Sequence, residues 1–348
     1  MNRDFRSDNV APPLPQILDT AIRSGGLWMD AYADDQATGR LEQRLAVIFE
    51  HDVAAFPILT GTAANALALA QISGRFGQIL CHRSSHIHVD ECGAVEFHSQ
   101  GNRLKALEGK DGKLEADTCI RGFGPLDDVH QLRTTALSLS QATEVGTYYC
   151  ADEVLRLAGW AKDNGAAVHM DGTRFANVVV ASGSTPAELT WRAGVDVLCL
   201  GGTKGGAIGA EVVVFFDREM AVDFKRLMKR SGHLASRLWF LAVQLEAYFG
   251  DDLWQETARD ANAMARLLGN TLSESGLVSP CYPVQTNMVF LKAGMSTYEH
   301  LRELGYKFYL IEDEIEGAVA RFVTSYATKP EDVERLADAI IRCVVLSG

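Results

Sequence analysis

The sequence predicts an α/β protein: a mostly parallel sheet in a large domain, followed by a smaller α+β domain. Helix-like and strand-like hydrophobic periods alternate through the first two thirds of the chain. Alternation at this spacing calls for crossover connections between parallel strands. From about residue 250 the pattern changes to a long helix, two strands and a final helix. At 348 residues the chain also exceeds what one core commonly serves, because single cores stop growing near ~250 to 300 residues. The expected division is a large domain over 1–249, including an N-terminal segment, and a small one over 250–348. No internal repeat or low-complexity linker separates them, so close packing is expected.

In chain order, "LEQRLAVIFEH" places Leu41, Leu45, Ile48 and Phe49 on one helical face. "AAFPIL" is a short apolar run, and "TAANALALAQI" is helical again. "QILCH", "TALSLSQ", "AAVHMDG" and "VDVLCLGG" read as buried strands, with the helix "ADEVLRLAGWAKDNG" between the second and third. "AEVVVFFD" follows its predecessor too closely for a helical crossover, which points to antiparallel pairing. In the last third, "TNMVFLKA" and "ARFVTSYA" are strands, and Thr328-Lys-Pro-Glu331 carries a capping-box signature before the final helix.

Composition removes several functions. A hydrophobic share of 47% and a charged share of 22% are ordinary for a globular chain, and a net charge of -12 argues against nucleic acid or an anionic membrane as partner. No apolar stretch approaches the ~20 residues that span a bilayer. No basic start runs into an apolar segment, so a cytoplasmic protein is expected. Cys81, Cys92, Cys119, Cys150, Cys199, Cys281 and Cys343 form an odd, scattered set without C-x-x-C spacing. That disfavours a disulfide framework and a zinc site, and no metal is expected; most of these thiols read as small buried apolar groups.

Three features of the larger domain bear on chemistry. In "LTGTAANALALA" a strand ends at Thr60-Gly61-Thr62 and a helix begins at once. Free backbone N–H groups at a helix start, with a hydroxyl, make a phosphate site; a threonine there also serves simply as an N-cap. In "AAVHMDGTRFANVVV", strand alternation aims His169 and Asp171 at one face, at the end of a strand where ligands of open α/β sheets bind. An ion pair between Asp171 and Arg174 is the structural alternative. "LCLGGTKGGAIGAE" sets Lys204 among glycines directly after a buried strand. Glycine permits close approach to a ligand; a solvated turn lysine is the plainer reading, and the spacing is not that of a Walker A loop. Together the three match what pyridoxal 5'-phosphate requires. Lysine forms an imine with its aldehyde, aspartate keeps the ring nitrogen protonated, and a helix end holds the phosphate.

"SDN", "YADDQATGRLE", "TGTAANALAL", "SSHIHVDECGA", "SQATEVG", "HMDGTRFAN", "GGTKGGAIGAE" and "ARFVTSY" occur in an order and spacing that resemble the low-specificity L-threonine aldolases, a branch of the β-eliminating lyase-like enzymes of fold type I. The chain is most similar to the bacterial form with "GGTK" before the glycines. The resemblance covers nearly the whole chain. It implies Lys204 as the imine lysine, Asp171 on the ring nitrogen, Gly61 and Thr62 on phosphate, and His86 stacked on the ring. It further implies Ser7, Arg174 and Arg321 on the substrate carboxylate, with Arg174 also beside the cofactor. His130 matches a second family histidine, and His86 or His130, directly or through water, is the implied base. Arg237 resembles a residue that reaches a neighbouring subunit's cofactor phosphate. Tyr32 belongs to a segment that crosses the same interface towards substrate, which implies a homodimer or homotetramer with shared sites. Where the family usually reads D-G-A-R this chain has Thr173, a change expected to alter packing near the arginine without touching the chemistry.

The implied activity is retro-aldol cleavage of β-hydroxy-α-amino acids such as threonine, allo-threonine or β-phenylserine to glycine and an aldehyde. Another reaction on the same cofactor, β-elimination or racemisation, is the alternative. A dinucleotide-binding oxidoreductase is disfavoured by the missing G-x-G-x-x-G after a first strand.

Overall fold

The computed structural model describes residues 2–124, 128–313 and 317–347, and among these ten strands form two sheets. The first sheet holds β1 (Ala54–Ile58), β2 (Gly77–His82), β3 (Arg103–Leu107), β4 (Arg133–Ser140), β5 (Ala167–Gly172), β6 (Val197–Gly201) and β7 (Glu211–Phe215), in the order β1-β7-β6-β5-β4-β2-β3. Pairs from β3 through β6 are parallel. β7 runs antiparallel to both β6 and β1, as the short gap before it requires. β2, β6 and β7 are buried at every position, as strands covered on both faces are. β1 carries Pro57, which has no N–H to give to a ladder, and the strand accordingly takes an edge.

Helices cover both faces. α1 (Gln36–Phe49) buries Leu41, Leu45 and Phe49, the stripe read from its period. α2 (Gly61–Ile72) buries Ala63, Ala64, Ala66 and Ala68 as well as Leu67 and Leu69. Its small residues let it lie against β6 and β7 while the helices Ala94–His98 and Phe224–Arg230 pack on its other side. α3 (Ala151–Asp163) is the crossover from β4 to β5. No helix among the described residues is long and apolar enough to cross a membrane.

The second sheet is antiparallel, β8 (Met288–Lys292), β10 (Gly317–Val323) and β9 (Tyr309–Asp313), with β10 in the middle. Phe5 is fully buried in its core, where its N–H donates to the Lys307 carbonyl at 2.8 Å and its carbonyl accepts from the Val323 N–H at 2.8 Å. The N-terminal segment therefore runs alongside the second sheet before reaching the first. The long helix α4 (Leu253–Glu274) packs on both the helix Phe175–Ser182 and the last helix, α5 (Pro330–Ser347).

Three local features differ from the sequence reading. β3 gave no strand signal because all five of its residues are exposed or half-exposed at an edge, so its hydrophobicity does not alternate cleanly. β9 was also missed: Tyr309 and Ile311, on alternate positions, are both 48% exposed. α5 starts at Pro330, not after Thr328, because proline's fixed φ suits the first helical position. The Thr328 hydroxyl instead accepts from the Ser325 N–H at 2.9 Å.

Candidate active site

At the carboxyl ends of β4, β5 and β6 and the start of α2 lies a cavity of about 310 Å³, lined by Gly61, Thr62, His86, Asp171, Arg174 and Lys204 among others. Six of the residues singled out from sequence thus share one space. At its floor, α2 begins at Gly61 with Thr60 as N-cap, whose hydroxyl accepts from the Ala63 N–H at 3.1 Å. The N–H groups of Gly61 and Thr62 have no carbonyl one turn earlier to bond. They remain available to an anion.

Asp171 ends β5 and is buried. Its Oδ1 accepts from the Thr173 N–H at 3.1 Å and the Thr173 hydroxyl at 2.7 Å, and its Oδ2 accepts from Asn65 Nδ2 at 3.0 Å. Burial alone would raise this carboxyl. The Thr173 bonds and the charges of His86 and His169 outweigh it, holding Asp171 below the usual carboxylate range. Thr173 thus does more than pack near the arginine: its hydroxyl bonds the Asp171 carboxylate directly. No ion pair joins Asp171 to Arg174, so the structural alternative for this segment also falls. Arg174 pairs instead with buried Asp8, Nε and Nη2 donating to the two carboxylate oxygens at 2.8 and 2.9 Å. His169, fully buried, faces Ser138 Oγ at 2.9 Å and Cys199 Sγ at 3.3 Å, and burial pushes it down to about 4 despite the Asp171 charge.

Lys204 follows β6 in the turn Thr203–Gly205. Burial and the Arg174 charge lower its amine below the ordinary lysine range, against Asp8, Glu144 and Asp171. Among the described residues the amine has no hydrogen-bond partner. Gly205 next to it cannot carry a Cβ, which would overlap the Tyr248 hydroxyl, so the turn packs directly onto that ring. Glu211 Oε2 accepts from the Gly202 N–H at 2.9 Å, tying the start of β7 to the loop that carries the lysine; burial pushes Glu211 up to about 7.

His86 stands at the mouth on the short helix His86–Val89, its Nδ1 2.8 Å from Glu91 Oε1. Asn65 Nδ2 donates to that same Oε1 at 2.9 Å as well as to Asp171, so one amide bridges the two carboxylates. The bond to Glu91 raises His86 despite its burial, and burial, helped by the Asp171 charge, raises Glu91.

The other expected residues fall in two groups. Arg321 and Ser7 border the site from the second sheet and the N-terminal segment. The Arg321 Nε is buried with no partner among the described residues, its Nη2 reaches the Arg6 carbonyl at 3.4 Å, and its guanidinium lies over the Tyr309 ring at 5.1 Å. The Ser7 hydroxyl donates to Asp8 Oδ1 at 3.1 Å, beside Arg174. His130, Tyr32 and Arg237 do not line this cavity. His130 lies exposed by a separate surface cleft with Phe76, Val129 and Arg133. Tyr32 and Arg237 are exposed on neighbouring segments, where the Tyr32 N–H donates to the Ser236 carbonyl at 3.1 Å and Lys229 Nζ sits 4.4 Å from the Tyr32 ring centre.

Asp8, Asn65, Glu91, Glu144 and Glu211 were not singled out from sequence. All five lie inside the segments "SDN", "TGTAANALAL", "SSHIHVDECGA", "SQATEVG" and "GGTKGGAIGAE". That common location was the available signal. The arrangement fits pyridoxal phosphate: an unpartnered amine, a buried ionised carboxylate, free helix-start N–H groups and a buried guanidinium nitrogen without a partner. Among the described residues no group of three or more His, Cys, Asp or Glu can hold a metal.

Sheet order, lysine turn and strand-end aspartate together define a pyridoxal-phosphate-dependent lyase of fold type I. The beta-eliminating lyase family model matches residues 4–294. The low specificity L-threonine aldolase of Pseudomonas aeruginosa is 39% identical over 96% of each chain, and that of another Pseudomonas species 37% identical over 99% of this chain and 98% of its own. A threonine aldolase structure from Leishmania major superposes with a TM-score of 0.92 at 24% identity, covering 99% of this chain and all of the other. The chain belongs to the beta-eliminating lyase family, on its low-specificity L-threonine aldolase branch.

Proposed function

We propose that the protein cleaves β-hydroxy-α-amino acids, such as threonine, allo-threonine and β-phenylserine, to glycine and an aldehyde. The observation that carries this reading is the shared cavity of Lys204 and Asp171, with the arginines at its border. Bound there, pyridoxal phosphate supplies a sink for the electron pair freed when a bond at the substrate Cα breaks. Lys204 would hold it through the amine, and Asp171 would keep a proton on its ring nitrogen. Gly61 and Thr62 would take the phosphate with N–H groups and a hydroxyl, and His86 would lie against the ring. Arg321 would hold the α-carboxylate with its guanidinium, with Ser7 and with Arg174, whose Nε and Nη2 already fork onto Asp8, beside it. That grip would fix the orientation of the substrate in the cavity, and a base at the β-hydroxyl would complete the cleavage.

We further propose that the enzyme works in the cytoplasm as a homodimer or homotetramer, with Tyr32 and Arg237 completing the neighbouring subunit's site. Their exposed positions, away from their own cavity, support this. The test of the activity is a product assay on threonine and β-phenylserine. Glycine with acetaldehyde or benzaldehyde is expected. Inversion at Cα without aldehyde would assign racemisation, and pyruvate or another keto acid from serine would assign β-elimination.

A further inference from the structure

Five acidic side chains surround the site, and four are committed to protein groups. Asp8 is held by Arg174 and Asn287, Asp171 by Thr173 and Asn65, Glu91 by His86 and Asn65, and Glu211 by the Gly202 N–H. The fifth, Glu144, lines the cavity half-exposed and, among the described residues, makes no hydrogen bond or ion pair. Its charge nevertheless acts on His86, Arg174, Lys204 and Arg321, which come from four different elements. From its place in the cavity wall its carboxylate is thus within electrostatic reach of all four.

The loop that carries it is fixed on both sides. The Gln141 N–H donates to the Asp171 carbonyl at 2.7 Å, and the Thr143 N–H donates to the Thr147 carbonyl at 2.9 Å. The Gly146 carbonyl accepts from the Thr286 hydroxyl at 2.8 Å, and the Tyr148 N–H donates to Gln285 Oε1 at 3.1 Å. A tightly held turn bearing one unpaired carboxylate has the form of a preorganised functional group. Nothing in the folding of the loop uses that carboxylate.

Cleavage needs a base at the β-hydroxyl oxygen, because an alcohol does not release its proton unaided near neutral pH. His86 has its Nδ1 engaged by Glu91, which leaves Nε2 alone to accept a proton, whereas neither carboxylate oxygen of Glu144 is engaged among the described residues. We propose that Glu144 is the catalytic base that takes the β-hydroxyl proton, an assignment that rests on the aldol reading above. As the O–H proton passes to Glu144, the C–O bond becomes the aldehyde carbonyl. The Cα–Cβ bond breaks with its electron pair left on the Cα side. A proton returned to Cα gives glycine, and Glu144 passes its own proton to water. The role differs from holding the α-carboxylate, which belongs to cations.

The experiment is E144Q in the holoenzyme, with E144D as the conservative variant. Circular dichroism, cofactor dissociation constant and borohydride-fixed label on Lys204 should all match the parent. Exchange of the glycine α-proton with deuterated solvent requires no hydroxyl base and should stay within a few-fold. The turnover of β-phenylserine should fall by about a hundredfold or more, and E144D should recover part of it. Cleavage by E144Q at the parent rate overturns the assignment. So does an equal loss of glycine exchange, or tighter glycine binding at unchanged turnover, which would make Glu144 a charge that tunes the arginines. A parent that exchanges glycine α-protons yet releases no aldehyde overturns the aldol reading and this role with it.

Discussion

The Thr173 hydroxyl shows how much one side chain contributes to a buried carboxylate. It donates to Asp171 at 2.7 Å inside a buried site, and hydrogen bonds to charged groups contribute about 1.5–3 kcal/mol. Thr173→Ala removes one of the bonds that offset the burial of Asp171 and so makes the carboxylate easier to protonate. We expect cofactor affinity to fall by about tenfold, corresponding to ~1.4 kcal/mol, while Thr173→Ser retains it. Fluorescence titration of the cofactor-free protein measures this, and unchanged affinity in Thr173→Ala would remove Thr173 from the support of Asp171. Residues such as Asp171 and Lys204 were legible in the sequence because a charge inside an apolar, glycine-flanked run is conspicuous. Asp8 and Asn65 were not. Their partners, Arg174 and Asp171, lie 166 and 106 positions away, and no local pattern reveals a contact that only the fold creates.

Elements obey the same division. β2 and β4 through β7, together with α1 to α3, announced themselves by apolar period because they are buried on the faces that the period describes. Edge strands such as β3 carry too little burial to leave that imprint. The junction of β6 and β7 is an element whose chemistry was hidden. There Glu211 ties the lysine-bearing loop to β7, and burial raises its carboxyl from an ordinary 4.5 to about 7. The folded chain binds that proton more tightly than the unfolded one. The residue's stabilisation is thus fully present below pH 4.5 and is lost as the pH rises through 7. At about 1.4 kcal/mol for each pH unit, the loss is on the order of 3 kcal/mol. Glu211→Gln keeps an acceptor for the Gly202 N–H and has no proton to lose. Melting midpoints of the cofactor-free proteins between pH 4.5 and 8 should therefore diverge, with the variant gaining on the parent as pH rises. Parallel curves would mean that Glu211 titrates as an ordinary carboxyl.

At the scale of the whole molecule, a single chain leaves features that a neighbour would complete. Trp28 is 100% exposed and Leu27 60%, both just before Tyr32, and apolar groups exposed together mark surfaces that meet a partner. Tyr32, whose N–H bonds the Ser236 carbonyl next to Arg237, and Arg237 itself lie outside their own cavity. A two-fold interface uses the same patch on both partners, so each subunit would lend these residues to the other's site. The decisive measurement is complementation between Lys204→Ala and Arg237→Ala subunits, each first shown to be inactive alone and then shown to exchange. In a mixed dimer one site carries both lesions and the other neither. Random pairing of equal amounts makes half the dimers mixed, so about a quarter of the parent activity should return. Recovery on that scale requires Arg237 to act across the interface, because a residue serving its own Lys204 would leave every site defective. No recovery despite exchange, or a monomer at working concentration, would confine each site to one chain. Arg237 would then act within its own chain and not across an interface, while the roles of Lys204 and Asp171 would stand.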